Sequence, residues 1–119
     1  MIKHTWEERG LYRLCEGKLD PDEFVQADLD IHGDVRVEKI DYVINDFTKV
    51  TEAEFDQIYA RLLGYTDQLI EPVARNLKIA NVTADQKIID ATHIYMEMMK
   101  GTSFRIKIFD TLESARSWV

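Results

Sequence analysis

Apolar and polar positions change period several times along the chain, and each change marks an element. Residues 2–7 and 11–16 carry short strand-like runs separated by Glu8-Arg9-Gly10, where the glycine suits a tight turn. They predict an opening hairpin. Asp20-Pro21-Asp22-Glu23 then combines a capping residue, a proline at the first helical position and a glutamate that closes a capping box. The helix it opens is expected to bury Phe24, Ala27 and Ile31 and to stop near Gly33. In residues 34–39, Val35 and Val37 alternate with charges over too short a stretch to choose between loop and strand, and the segment is read as a connector.

An apolar run over residues 40–47, interrupted by Asn45 and Asp46, reads as the central buried strand. Thr51-Glu52-Ala53-Glu54 is a second capping box, and behind it Phe55, Ile58, Tyr59, Leu62 and Leu63 start a helical repeat that runs on to Val73. This is the longest helix, weakened at Gly64 by about 1 kcal/mol relative to Ala and ended or kinked by Pro72. Residues 77–82 form a short apolar strand. Thr83-Ala84-Asp85-Gln86 opens a helix that carries Ile88 through Met99 and ends at Gly101. Residues 104–108 alternate apolar with basic, as in a charge-protected edge strand. Asp110-Thr111-Leu112-Glu113 leads a last helix with Leu112, Ala115 and Trp118 on one face. The order ββαβαβαβα predicts an α/β fold: one domain over residues 1–119, with a mixed, mostly parallel five-stranded sheet flanked on both faces by helices.

Composition narrows the function classes. At 119 residues and 45% hydrophobic content the chain can bury one core. A net charge of -7 argues against nucleic acid, which needs clustered cations to displace counterions. The single cysteine, Cys15, excludes an internal disulfide and is expected as a buried strand thiol in a reducing compartment. No apolar run reaches the roughly 18 residues of a membrane span, so the expected location is the cytoplasm, with peripheral membrane contact at most.

Order and phrasing together resemble the STAS-like superfamily (sulfate transporter and anti-sigma factor antagonist), and within it the SpoIIAA-like members. The phrases are Tyr42-Val43-Ile44-Asn45-Asp46-Phe47, Leu77-Lys78-Ile79-Ala80-Asn81-Val82, and the ending from Ile108-Phe109-Asp110-Thr111 to Trp118. The resemblance implies a non-catalytic domain that binds a protein partner or, by analogy with lipid-carrying folds, an apolar ligand. Anti-sigma factor antagonists are similar to one another in a phosphorylatable serine within an Asp-Ser-Ser-Gly-like loop after the central strand. The matching stretch here, Glu54-Phe55-Asp56-Gln57, has no hydroxyl. A phosphorylation switch would have to use Thr48 or Thr51 nearby.

Candidate chemistry gathers where ligands tend to lie in such sheets, beyond the carboxyl ends of the strands. That rim is expected to hold Asp46, Thr48, Thr51, Asn81, Thr83, Asp85, Asp110 and Thr111, with Asn45 beside Asp46, and Thr51, Thr83 and Asp110 are also assigned as helix caps. Asn45 and Asp46 stand out because a polar group in a buried strand must find a partner. The third long helix has more apolar surface than one core stripe needs. Ile89, Tyr95, Met96 and Met99 are therefore expected as a dimer face, a partner groove or a lipid-pocket lining, against the alternative of a helix buried on two sides. An enzymatic alternative would use Asp46 and Asp85 as acid and base, but no nucleophile or cofactor motif accompanies them. His4, His32 and His93 lack metal-motif spacing and read as surface or packed residues, and no metal or cofactor is expected. The pairs Asp20 with Asp22 and Asp28 with Asp30 read as caps and solvated charges.

Overall fold

The computed structural model describes residues 1–119. Strands β1 (Ile2–Trp6), β2 (Gly10–Leu19), β3 (Tyr42–Ala53), β4 (Lys78–Val82) and β5 (Arg105–Phe109) form one sheet in that order. β1 runs antiparallel to β2, and every other neighbouring pair is parallel. The helices are α1 (Pro21–His32), α2 (Gln57–Ile70), α3 (Gln86–Met98) and α4 (Leu112–Trp118), with a 3-10 turn at Val35–Lys39. The mixed five-stranded α/β architecture is the one expected, and the connector contains that short turn.

Alternation along the strands divides the core in two. Leu11, Cys15, Val43, Phe47 and Ile79 pack against Phe24 and Ile31 of α1, Leu63 of α2 and Ile88 and Tyr95 of α3. On the opposite face Ile44, Ala80 and Val82 pack with Ala115 and Trp118 of α4. Three helices thus cover one face and α4 the other. Cys15 is fully buried in the larger cluster, and burial pushes its thiol up to about 12, which makes it inert.

Three helix starts differ from the expected ones. β3 continues through Thr51 to Ala53, because β2 also runs on to Leu19 and pairs with it through two register shifts. α2 is capped instead by Asp56, whose carboxylate accepts from the N–H groups of Ile58 and Tyr59. α3 is capped by Asp85, while the Thr83 hydroxyl accepts from the Asp85 N–H. α4 is capped by Thr111, which accepts from Ser114, and not by Asp110. In each case the residue nearest the first free N–H groups takes the cap.

Two glycines mark close approaches. Gly10 has no positive φ; it lies under the Tyr42 ring, whose carbon would stand 2.2 Å from an added Cβ. Gly64 lets α2 meet α3, because a Cβ there would lie 2.9 Å from both Cβ and Sδ of Met98.

Candidate functional site

Register lines up a polar row inside the larger core. Arg13 of β2 is opposite His4 of β1 and Asn45 of β3, and Asn45 is opposite Asn81 of β4. These side chains occupy the inward positions between Leu11 and Cys15, Val43 and Phe47, and after Ile79. The helices above add Asp28 from α1, Asp67 from α2, and Thr92 and Tyr95 from α3, all buried.

The row is tied together by hydrogen bonds. Arg13, 1% exposed, places a guanidinium nitrogen 3.3 Å from Asp28 Oδ1 and donates its Nε–H to His4 Nε2 at 3.1 Å. Its guanidinium also lies 4.8 Å from the centre of the Phe24 ring. His32 Nε2 is 3.0 Å from Asp67 Oδ1 and 3.5 Å from Asp28 Oδ2. Tyr95 donates its hydroxyl to Asp67 Oδ2 at 2.5 Å. Beyond them Asn45 donates to Asn81, and Asn81 to Thr92.

Electrostatics follow from this burial. Desolvation, then the charge of Asp67, hold the Asp28 carboxyl well above the usual carboxylate range. Desolvation and the same Asp67 charge raise the Tyr95 hydroxyl. Burial, reinforced by Arg13, lowers His4, which fits a neutral ring accepting from the guanidinium.

Between this row and the three helices lies a cavity of about 80 Å³. Eighteen of its 25 lining residues are hydrophobic, so the polar row is one end of a mainly apolar chamber. Asp28, His32 and Asp67 bring ligand atoms to within 4.8 Å of one another, a spacing that a cation could bridge. Arg13 stands against Asp28 and His32 against both carboxylates, so the trio is also engaged in contacts within the protein.

The rim residues expected from sequence are separated. Asn45 faces the cavity. Asp46, its neighbour on β3, points to the α4 side, where Tyr12 donates to its Oδ2 and the Thr48 hydroxyl and N–H both donate to its Oδ1. Burial pushes the Asp46 carboxyl up, but these bonds outweigh it and hold it below its ordinary value. Asp85 spends its carboxylate on the α3 cap, and neither it nor Asp46 lines the cavity. Thr83 is buried and serves the same turn. Thr48 and Thr51 are both exposed on β3; a phosphate on Thr48 would face the Asp46 carboxylate to which its hydroxyl now donates.

The residues expected as an apolar surface on α3 are buried or half-buried. Tyr95 is 8% exposed and lines the cavity, Met99 is 2% exposed in the core, and Ile89 and Met96 are half-buried, because α3 is covered by α2 on one side and the sheet on the other. The uncovered stripe belongs to α2, where Ile58, Leu62, Tyr65 and Leu69 are exposed on the side away from the cavity. No helix is long and apolar enough to cross a membrane.

Sequence reading singled out Asn45 and missed Arg13, Asp28 and Asp67. Their signal is positional. Asp28 falls in the helical series Phe24, Asp28, Ile31, and Asp67 in Leu63, Asp67, Ile70, at core spacing. Asp28 is therefore not the solvated partner of Asp30 but a buried carboxyl.

Comparison of the whole backbone with solved structures decides the fold. One neighbour is an uncharacterised protein of the DUF3478 family from Shewanella loihica PV-4, described as having a SpoIIAA-like fold. It matches with a TM-score of 0.55 and 15% identity over 99% of this chain and 91% of that one. The fold is SpoIIAA-like. Another neighbour is the anti-sigma factor antagonist SpoIIAA in its unphosphorylated form, with a TM-score of 0.57 and 14% identity over 99% of this chain and 95% of that one. No protein-family model matches the chain, and no curated protein matches its sequence. In the SpoIIAA-like frame the β3 to α2 junction is Glu54-Phe55-Asp56, and its polar side chains are carboxylates.

Proposed function

We propose that this chain is a non-catalytic binding domain of regulatory type, which takes a small, largely apolar ligand in the chamber between the sheet and α1, α2 and α3. The observation that carries this reading is the cavity together with two buried acceptors, Asp28 Oδ2 and Asn45 Oδ1, that have no hydrogen-bond partner. A core built only for stability leaves few voids and satisfies its polar atoms, because each orphan forfeits about 1 to 3 kcal/mol. Here the void and the orphans coincide.

The cavity is too small for an acyl chain, since an apolar cavity of about 150 Å³ holds a single benzene. A ligand of roughly three to five non-hydrogen atoms scales to the observed volume. The regulatory part of the reading is supported by the fold: one structural neighbour is, by its name, an antagonist of an anti-sigma factor, hence a protein that acts through another protein. A partner that senses the α1 to α3 side would read ligand occupancy.

Native mass spectrometry of gently purified protein, followed by thermal-shift screening of small amphipathic molecules, tests the reading. A retained or added small mass with a raised melting temperature is expected. Ala60→Leu, which fills the chamber from α2, should abolish the response. Ligand binding that survives in Ala60→Leu would place the site elsewhere.

A further inference from the structure

Asn45 Oδ1 and Asp28 Oδ2 are the orphan atoms around the cavity; the network fixes Asn45 Oδ1 as an acceptor, and Asp28 Oδ2 is one once its carboxyl is ionised. The Thr92 hydroxyl donates its proton to the Ile88 carbonyl oxygen at 2.8 Å, so toward Asn81 it can only accept, and it does so from Asn81 Nδ2 at 2.9 Å. Asn81 therefore turns its Oδ1 to Asn45, where it accepts from Nδ2 at 2.8 Å. Asn45 Oδ1 is left bare. Asp28 Oδ2 has no hydrogen-bond partner either, with His32 Nε2 3.5 Å away, on a side chain that is 9% exposed, while Oδ1 of the same carboxylate is held by Arg13. Arg13 and Asn45 are register partners, so both acceptors belong to one polar patch.

The patch also lacks positive charge. Two carboxylates, Asp28 and Asp67, face one permanent cation, Arg13, with His32 between them. Desolvation, with the Asp67 charge second, favours the neutral Asp28 carboxyl, so a cation that binds in the chamber takes the place of the carboxyl proton. A bare metal ion would answer the carboxylates and leave the apolar walls without an occupant. A carboxylate ligand would bring only acceptors to two acceptors. A hydroxyl has one proton to give, whereas a primary ammonium has three.

We propose that the ligand is a small primary alkylammonium, with N–H donors directed to Asp28 Oδ2 and Asn45 Oδ1 and its alkyl chain among Val43, Phe47, Leu63, Ile79 and Ile88. This rests on the reading of the chamber as a ligand site and names the chemistry of that ligand.

The test is isothermal titration of the full chain at pH 7 with n-butylammonium, n-butanol, butyrate, tetramethylammonium and Zn²⁺. Butylammonium should bind roughly tenfold or more tightly than butanol, since hydrogen bonds to charged groups exceed neutral ones by at least that factor. Butyrate and tetramethylammonium, which lack N–H donors, should not bind. Asp28→Asn and Asn45→Leu, each checked for a native circular-dichroism spectrum, should each weaken butylammonium roughly tenfold. Equal binding of butanol, or any binding of butyrate or of the quaternary ammonium in the chamber, overturns the ammonium assignment and leaves the chamber as a ligand site. Binding of Zn²⁺ that displaces butylammonium's effect and is lost in His32→Ala overturns it in favour of a metal site. Failure of every four-carbon compound overturns both readings and leaves the orphan atoms to buried water.

Discussion

At the scale of single residues the molecule is governed by charges in core positions. Asp28 holds its proton in the folded chain at pH values where an unfolded carboxyl, near 3.8, has lost it. The folded state then binds more protons, so this group's contribution is full below about pH 4 and is lost as pH rises through its raised folded value. Asp28→Asn should remove that loss: denaturant titrations from pH 4 to pH 8 are expected to show a smaller decline for the variant than for the wild type. Parallel curves would mean that Asp28 is already ionised beside Arg13. His4 has the opposite sign, because burial and Arg13 lower it from 6.5. Its contribution is present above that value and is lost as pH falls below it, and His4→Gln, which can still accept from Arg13, should flatten the stability curve between pH 5 and pH 7. Asn45 was legible as the polar interruption of a buried strand. Arg13, Asp28 and Asp67 were not, because charged side chains are so rarely buried that their core spacing was outweighed by their chemistry.

At the scale of elements, existence and type were legible while starts were not. Capping boxes at Thr51, Thr83 and Asp110 had the right composition, but Asp56, Asp85 and Thr111 lie closer to the first helical turn and took the role. The surplus apolar surface was assigned to α3, whereas α2 carries it, because α3 packs on two sides and its length of apolar sequence is consumed there. Residue pattern alone does not tell which of two apolar helices is the inner one. Where these helices meet, Gly64 settles their separation. In an exposed helix Gly→Ala would gain about 1 kcal/mol. Here the added methyl meets Met98 at 2.9 Å, at the Cβ as well as the sulfur, so the side chain cannot simply swing away. Gly64→Ala is expected to lower the melting temperature, and Gly64→Ala with Met98→Ala to recover most of the loss. A rise on the single substitution would show that α2 and α3 can move apart freely. Leu69→Glu, at a position 82% exposed, should change stability by no more than about 0.5 kcal/mol.

At the scale of the whole molecule the two faces of the sheet do different work. The α1 to α3 face holds a void and unsatisfied charge, and the α4 face is closed by short-range bonds between the ends of the chain. Arg116 of α4 donates to both Glu7 oxygens at 2.6 and 2.7 Å, Tyr42 donates its hydroxyl to the same carboxylate, and the Arg116 guanidinium lies over the Tyr12 ring at 5.2 Å. The Arg116 bond, against a smaller cost of burial, holds Glu7 below its ordinary value. Trp118 rests on Phe109 with ring centres 5.6 Å apart, so α4 is held by its polar and its apolar edge together. The ion pair is partly exposed, which limits it to about 1 kcal/mol or less. A lysine can supply the charge but neither the two-pronged fork nor the stacking plane. Arg116→Lys should therefore lose nearly as much stability as Arg116→Ala, and Glu7→Gln a similar amount. The Glu7 contribution is present above about pH 4.5 and lost as pH falls through the depressed folded value, so Glu7→Gln should converge with the wild type in strong acid, while the Arg116 variants keep the part of their loss that comes from the Tyr12 stacking. Chemical denaturation at low and high salt measures it. A lysine variant as stable as the wild type would mean that α4 is held by Trp118 and Ala115 alone, with the charged bridge contributing nothing.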